Sequence, residues 1–172
     1  MKEIFLGILF SIIAIGGISG QKTILPTESF TIEGVVEKPV TITLDSLLAQ
    51  PVTSLDSVVI TNHLGERKSV QKGLKAVSLL PFLEHIHIQA ESPKQLSEFY
   101  FVFEAVDGYK VVYSWNELFN SQKGREVYAI IGKEGKSLAD LPDRIAIITP
   151  TDFMTGRRYV KSLSKIKVLS AD

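Results

Sequence analysis

Cysteine and a surplus of either charge are what this sequence lacks most clearly. Its 172 residues include no cysteine, 19 Lys or Arg and 19 Asp or Glu, so the formal net charge is zero. The missing cysteine excludes disulfides, thiolate nucleophiles and cysteine-based metal sites. The balanced charge argues against a nucleic-acid partner, because such proteins usually carry a basic surplus. Without disulfides, the stability of the fold must come from a packed apolar core.

Motifs of common enzyme classes are missing as well. The sequence has no Gly-x-Ser-x-Gly elbow, no phosphate-binding P-loop and no Gly-x-Gly-x-x-Gly after a strand. His85 and His87, next to Glu84, could bind one metal if they lay on a strand, where residues two apart face the same side. No third ligand occurs at a spacing typical of metal sites, so we interpret them as surface histidines and predict no metal site.

One long apolar run stands at the N-terminus. Residues 4–18 are nearly all apolar, follow Lys2 and precede Ser19-Gly20. This pattern is typical of a signal peptide. The run is short for a transmembrane helix, which needs roughly 20 residues. We therefore predict a signal peptide at 1–20, a single domain at 21–172 and a periplasmic or secreted protein. The alternative is an uncleaved anchor, which would be its only membrane contact.

The rest of the chain is rich in short alternating and apolar runs, which predict strands. Phe99 to Ser114 holds two such runs joined at Asp107-Gly108, the strongest short signal of a hairpin. Further strands are predicted at 29–36, 40–44, 56–62, 67–71, 126–131, 144–149 and 164–169. With short helices between them, these strands predict a mostly β, α+β fold with several small mixed sheets.

Local signals also predict where helices begin and whether two of the strands lie at the centre or at the edge of a sheet. Asp45 is expected to cap a helix at 46–50, and Ser78 a helix at 77–85. Ser114 and Glu117 have the spacing of a capping box. The strand at 144–149 is apolar at nearly every position and is expected to be central. The strand at 164–169 carries lysines and is expected at an edge.

The segment 152–161 is the best candidate for a binding loop. It follows the apolar strand at 144–149 and contains Gly156, Arg157, Arg158 and Lys161. Backbone amides and guanidinium groups in such a loop could bind an anion, phosphate in particular. The alternative is a solvated basic loop that only joins two strands.

Five motifs occur in order along nearly all of the chain after the signal segment. Together they resemble the molybdopterin-binding domain of the sulfite oxidase family of oxidoreductases, especially its small exported members. The motifs are a strand–Gly-x-Val–x-x-Pro–strand–helix element at 30–47, Val77-Ser78-Leu79 with Leu83, Ala105-Val106-Asp107-Gly108-Tyr109, Pro142-x-Arg144 to Pro150, and Gly156 to Lys161 with the strand at 166–168.

The resemblance implies an α+β fold and a phosphate-bearing pterin cofactor, molybdopterin. By position, Arg144, Gly156, Arg158 and Lys161 would hold that cofactor. Family enzymes bind molybdenum through a cysteine at the end of the third strand, and the corresponding region here ends in Asn62-His63, which would lie beside the cofactor position. A soft thiolate has no equivalent among Thr, Asn and His.

We therefore expect an exported domain that binds a small anionic ligand or a periplasmic protein partner in the former cofactor cleft, without molybdenum redox catalysis. Two alternatives stay open at this point. One is a molybdenum-cofactor oxidoreductase whose metal is held by the pterin and oxygen ligands. The other is an interaction domain that binds no small ligand.

Overall fold

The computed structural model describes residues 25–171, and the predicted signal peptide at 1–20 lies outside them. The described chain forms two five-stranded sheets joined by short helices. The strands are β1 Ser29–Gly34, β2 Val40–Thr43, β3 Thr53–Thr61, β4 Arg67–Ser78, β5 Phe99–Ala105, β6 Lys110–Ser114, β7 Tyr128–Lys133, β8 Lys136–Ser137, β9 Ala146–Ile148 and β10 Leu163–Ser170. The α-helices are α1 Leu44–Leu48, α2 Leu80–Glu84 and α3 Trp115–Phe119. Short 3-10 helices occur at Pro93–Glu98, Gln122–Glu126, Leu138–Asp140 and Thr155–Arg158.

The first sheet has the order β2-β1-β10-β5-β6, and only its β1–β10 pair is parallel. The predicted hairpin is confirmed as β5 and β6. Its connection needs Gly108, which has a φ of 88°, a conformation that costs glycine little. Buried and half-buried positions alternate along β5, with Phe99, Phe101 and Phe103 on the core side. The α+β fold class with small, partly mixed sheets is thus confirmed.

The last strand was predicted at an edge, and this prediction is wrong: β10 lies at the centre of the first sheet, between β1 and β5. Its two lysines have partners on the neighbouring strands. The Lys165 ammonium lies 3.5 Å from the Glu33 carboxylate, and that of Lys167 lies 3.3 Å from Glu104. The lysines therefore form cross-strand ion pairs on the outer face of a central strand.

The second sheet has the order β3-β4-β7, and both β8 and β9 pair with the far side of β7. The prediction that a helix begins at Val77 is wrong, because Val77 and Ser78 both belong to β4. The Ser78 hydroxyl does accept a hydrogen bond from the N–H of Leu80, the first residue of α2. Val77 pairs with Ala129 of β7 and is fully buried. Burial in the sheet outweighs the local helix signal, and α2 begins only at Leu80.

Two predicted helix starts differ in outcome. The capping box is confirmed: the Ser114 hydroxyl accepts a hydrogen bond from the Glu117 N–H, and the Glu117 carboxylate accepts one from the Ser114 N–H. Asp45, by contrast, lies inside α1, and Thr43 caps that helix by accepting from the Ser46 N–H. A hydroxyl two residues before Asp45 thus satisfies one of the first amides of α1.

Both sheets contribute to one apolar core. Ile32, Phe103 and Ile166 come from the first sheet, and Leu74 and Ile147 from the second, and each is at most 1% exposed. In the described part of the chain, no helix is both long and apolar enough to cross a bilayer. The loop that leaves β9 runs over the end of β3, and this crossing creates the site described next.

Candidate functional site

A cleft of about 480 Å³ opens where the loop after β9 packs against the hairpin of β3 and β4. We call it the basic cleft. Its lining consists of Ile60, Thr61, Asn62, His63, Lys68, Ser69, Gln71, Tyr109, Gly156, Arg157, Tyr159 and Lys161. Four of the six site residues predicted from the sequence are brought together here, namely Asn62, His63, Gly156 and Lys161. The other two, Arg144 and Arg158, lie elsewhere.

Positive charge dominates this lining. Lys68, Arg157 and Lys161 contribute three cations, and none of the described residues that line the cleft carries a carboxylate. The Lys161 ammonium lies 3.5 Å from Asp143 and 5.6 Å from the centre of the Tyr159 ring. Among the described residues, Lys68 and Arg157 form no ion pair. The cleft therefore carries a net positive charge that an anion would neutralise.

Thr155 attaches the loop to the end of β3. Its hydroxyl donates to the Val59 carbonyl at 2.5 Å and accepts from the Thr61 N–H at 3.1 Å. A single buried side chain thus satisfies two backbone groups at the outer edge of the strand. Thr155 could not be identified from the sequence, because a threonine in a polar loop carries no signal of such a partner.

Position 156, in the lining of the cleft, requires glycine because a larger residue would collide with β3. A Cβ at this position would lie 2.0 Å from the carbonyl oxygen of Thr61, a backbone atom that cannot move independently. Glycine therefore allows the 3-10 helix at Thr155–Arg158 to approach β3 closely. This contact sets the position of Arg157, whose guanidinium donates to the His63 carbonyl at 3.4 Å.

Asn62 and His63 form the rim of the cleft at the β3–β4 turn. The Asn62 side chain accepts from the N–H groups of Leu64 and Glu66 and donates to the Glu66 carboxylate at 2.8 Å. Its amide therefore holds the turn together, as asparagine commonly does. The His63 side chain is exposed and remains available to a ligand.

Two tyrosines complete the walls. The Tyr109 hydroxyl, at the turn of the β5–β6 hairpin, donates to the Arg157 carbonyl at 2.6 Å. Burial, with a smaller contribution from Asp143, raises the pKa of Tyr159 to about 12. The Tyr159 phenol therefore stays neutral near pH 7 and does not oppose an anion, whereas the Tyr109 hydroxyl is already engaged with the Arg157 carbonyl.

Arg158 lies outside the cleft in a cluster of ion pairs. Its guanidinium binds both carboxylate oxygens of Asp152 and donates to Glu117 at 3.0 Å. It also lies over the Tyr113 ring, 4.4 Å from the centre. The side chains of Arg158 and Asp152 are only 17% and 9% exposed. An anion reaching Arg158 would have to displace one of these carboxylates.

The electrostatics of the cluster agree with its geometry. Burial alone would raise the pKa of Glu117, but hydrogen bonds from Ser114 and the contact with Arg158 outweigh it and lower that pKa. The hydrogen bonds to Asp152 raise the pKa of Arg158. Burial raises the pKa of Tyr113 to about 12, so its hydroxyl stays protonated 2.8 Å from the Thr149 hydroxyl. The ion pairs and the ring contact of this cluster thus connect α3, β6 and the loop after β9.

The remaining candidates lie away from the cleft. Arg144 pairs with Glu28, and its backbone, at a φ of 47°, bridges to Thr27. His85 ends α2 with its Nδ1 2.5 Å from the Pro81 carbonyl oxygen. In residues 25–171, His, Cys, Asp and Glu form no group of three or more able to hold a metal ion.

The donor set of the basic cleft does not fit a molybdenum ion bound by the protein. The third strand ends in Thr61-Asn62-His63, the sequence has no thiolate, and the Asn62 amide is already engaged in its turn. As a metal ligand, a soft thiolate has no equivalent among Thr, Asn and His. The cations and phenols of the cleft fit a phosphate-like oxyanion instead.

Comparison with known proteins bears on the fold. No protein-family model matches the chain, and no curated protein matches it significantly. Among solved structures, the sulfane dehydrogenase SoxCD from Paracoccus pantotrophus is similar, with a TM-score of 0.57 and 15% sequence identity. The fold is of the sulfite-oxidase type. The match covers 84% of this chain and 38% of the SoxCD chain.

At this identity the likeness concerns the backbone alone. The chain spans little more than a third of the SoxCD chain that it matches. The name sulfane dehydrogenase describes SoxCD and is not carried over to this chain. The family resemblance inferred from the five motifs is thus supported at the level of the fold, and the function of the cleft must be argued from its own residues.

Proposed function

We propose that this protein binds a small anionic ligand, a phosphate or a phosphate-bearing molecule, in the basic cleft and does not carry out molybdenum redox catalysis. The observation that carries the proposal is the cationic lining: Lys68, Arg157 and Lys161 surround a cavity whose described lining has no carboxylate. Guanidinium and ammonium groups that converge on one cavity favour an oxyanion.

Each cation has a distinct part in this proposal. Arg157 is positioned by its contact with the His63 carbonyl and offers a planar fork to two oxygens of the anion. Lys68 and Lys161 add point charges from β4 and from the segment that leads into β10. The Thr61 hydroxyl is buried without a hydrogen-bond partner among the described residues, and a ligand oxygen would supply an acceptor for it.

Tyr109 and Tyr159 favour a ligand larger than a bare ion. Their rings form part of the wall beside the cations. Aromatic rings at that position suit a planar group attached to the phosphate. A phosphate-bearing pterin without protein-bound metal belongs to this class of ligands, as do other phosphorylated ring compounds. Export of the protein and a periplasmic protein partner for the cleft remain predictions.

Titration calorimetry with inorganic phosphate and pyrophosphate at low salt tests the proposal. We expect saturable binding by the unmodified protein, and an affinity at least tenfold lower in Lys68→Glu and in Arg157→Glu, roughly 1.4 kcal/mol or more for each change. The matched control is Lys72→Glu, which makes the same charge change on an exposed position of β4 outside the lining. Equal losses in all three variants, or no saturable binding by the unmodified protein, would refute the proposal.

A further inference from the structure

A second cavity, of about 340 Å³, lies on the second sheet between the end of α1, the strand β4 and the β7–β8 hairpin. No described residue lines both this cavity and the basic cleft. Cavities from about 300 Å³ upward can hold a small organic molecule. We call it the lysine groove, and the side chains that characterise it are Leu48, Val52, Ile131, Lys75, Lys133 and Lys136.

Strand pairing brings the three lysines of the groove together. Lys136 of β8 lies directly opposite Lys133 of β7, and Lys75 of β4 pairs with the residue before Lys133. Like charges directly opposite each other in an antiparallel pair are destabilising. Within the described chain none of the three forms an ion pair, and no described lining residue carries a carboxylate. An anion bound among the ammonium groups would offset this repulsion.

The acidic residues of the same hairpin region leave the lysines unneutralised. Glu134, at the turn between β7 and β8, forms no ion pair with any described residue. The Asp140 carboxylate accepts from the Ser137 hydroxyl at 2.6 Å and from the Ser137 N–H at 3.3 Å. These hydrogen bonds, with a smaller contribution from Lys136, lower the pKa of Asp140. The Asp140 carboxylate is thus already engaged outside the groove lining.

Apart from the charges, the groove is largely apolar. Leu48 and Val52 line it with 52% and 53% of their surfaces exposed, together with the buried Ile131. The Lys75 stem adds to this surface, since its Cβ lies 3.4 Å from the position that a Cβ would take at Gly132. Lysine stems commonly cover apolar surface while the ammonium group stays in water. An alkyl chain in the groove would remove the two exposed aliphatic side chains from water.

We propose that the lysine groove binds an anionic amphiphile of the fatty-acid class, with a single carboxylate on an alkyl chain. The ammonium groups of Lys75, Lys133 and Lys136 bind the carboxylate, and the alkyl chain lies against Leu48 and Val52. A bare anion would leave those two side chains exposed, and a neutral hydrocarbon would leave the lysines without a counter-charge. The groove shares no lining residue with the basic cleft, so this proposal does not depend on the function proposed for that cleft.

Titration calorimetry of the full chain with dodecanoate, below the concentration at which dodecanoate forms micelles, tests this proposal. We expect saturable binding of one dodecanoate per chain. Acetate, which lacks the alkyl chain, and dodecyl maltoside, which lacks the charge, should show no saturable binding. The double variant Lys75→Glu/Lys133→Glu and the variant Val52→Asp should each lower the dodecanoate affinity at least about tenfold, because each removes one part of the site.

Matched controls make the same changes elsewhere on the surface. Lys38→Glu/Lys94→Glu reverses two exposed lysines outside the groove. Val112→Asp alters a valine of β6 that is also 53% exposed. Both controls should bind dodecanoate as the unmodified protein does. Every variant keeps the same N-terminal segment, so that segment cannot account for a difference between them.

The two groove variants act on different parts of the site, so the test stands if the circular dichroism spectrum shows that one of them does not fold. No saturable dodecanoate binding by the unmodified protein, or equal affinities in the folded groove variants and their controls, would overturn the proposal. Acetate binding as tight as that of dodecanoate would overturn it too, and so would binding to anionic phospholipid vesicles without binding of free dodecanoate. Phosphate affinity should be the same in Val52→Asp and in the unmodified protein, because Val52 does not line the basic cleft.

Discussion

Replacing Arg158 with methionine should lower the free energy of unfolding by roughly 3 kcal/mol. The change leaves the Asp152 carboxylate, whose side chain is 9% exposed, without the guanidinium that binds both its oxygens. Only the Lys123 ammonium, 3.8 Å away, then remains as a charged partner. Removing one member of a buried ion pair is costly because the other stays buried and charged. Urea unfolding at pH 7 measures the effect.

The adjacent residue provides the matched control. Arg157→Met removes the same group from an exposed position and should change the free energy of unfolding by no more than about 0.5 kcal/mol. The double variant Asp152→Leu/Arg158→Met should recover part of the loss, because an apolar pair can replace a buried ion pair. Equal stabilities of Arg158→Met and Arg157→Met would contradict the structural role that we assign to Arg158.

Gly156→Ala should destabilise the protein by about 2 kcal/mol and should also weaken phosphate binding. The added Cβ would stand 2.0 Å from the Thr61 carbonyl oxygen, so the Thr155–Arg158 helix must move away from β3. That movement breaks the contacts of Thr155 and displaces Arg157 from the cleft. Urea unfolding and phosphate titration of the same sample measure both effects.

Thr151→Ala is the control for this loop, because Thr151 is exposed and precedes the contact with β3. It should leave stability and phosphate affinity unchanged. If Gly156→Ala were as stable as the unmodified protein and bound phosphate equally well, the loop would not depend on close approach to β3. The position of Arg157 would then need another explanation.

The parts of the fold that the sequence predicted well depend on short-range chemistry. The Asp107-Gly108 hairpin and the Ser114–Glu117 capping box each involve residues only a few positions apart. Their turn and cap hydrogen bonds form within the segment itself. Both are confirmed, and with them the mostly β, α+β class.

The wrong predictions depend on partners far away in the sequence. Lysines on β10 suggested an edge strand, but Glu33 and Glu104 on its neighbours give them ion pairs at the centre of a sheet. Val77 and Ser78 suggested a helix, but pairing with β7 extends β4 through them. No local pattern contains this information, because tertiary burial overrides local propensity.

The candidate site also combines features that the sequence predicted with features that depend on distant partners. Gly156, Lys161 and the end of β3 were predicted near a common site, and the structure brings them together. Which of two adjacent arginines faces the cleft could not be read from the sequence, since it depends on Asp152 and Glu117 capturing Arg158. Lys68 was overlooked, because only the pairing of β3 with β4 brings it to the same cavity.

The central claim is that this sulfite-oxidase-type fold has a cleft for an anion and no protein-bound molybdenum. The most direct test is to express the full chain in a host that makes molybdopterin, and to measure molybdenum by mass spectrometry and pterin by fluorescence in the pure protein. The account predicts molybdenum far below one atom per chain, whether or not a phosphate-bearing pterin is present. Molybdenum at one atom per chain would contradict it.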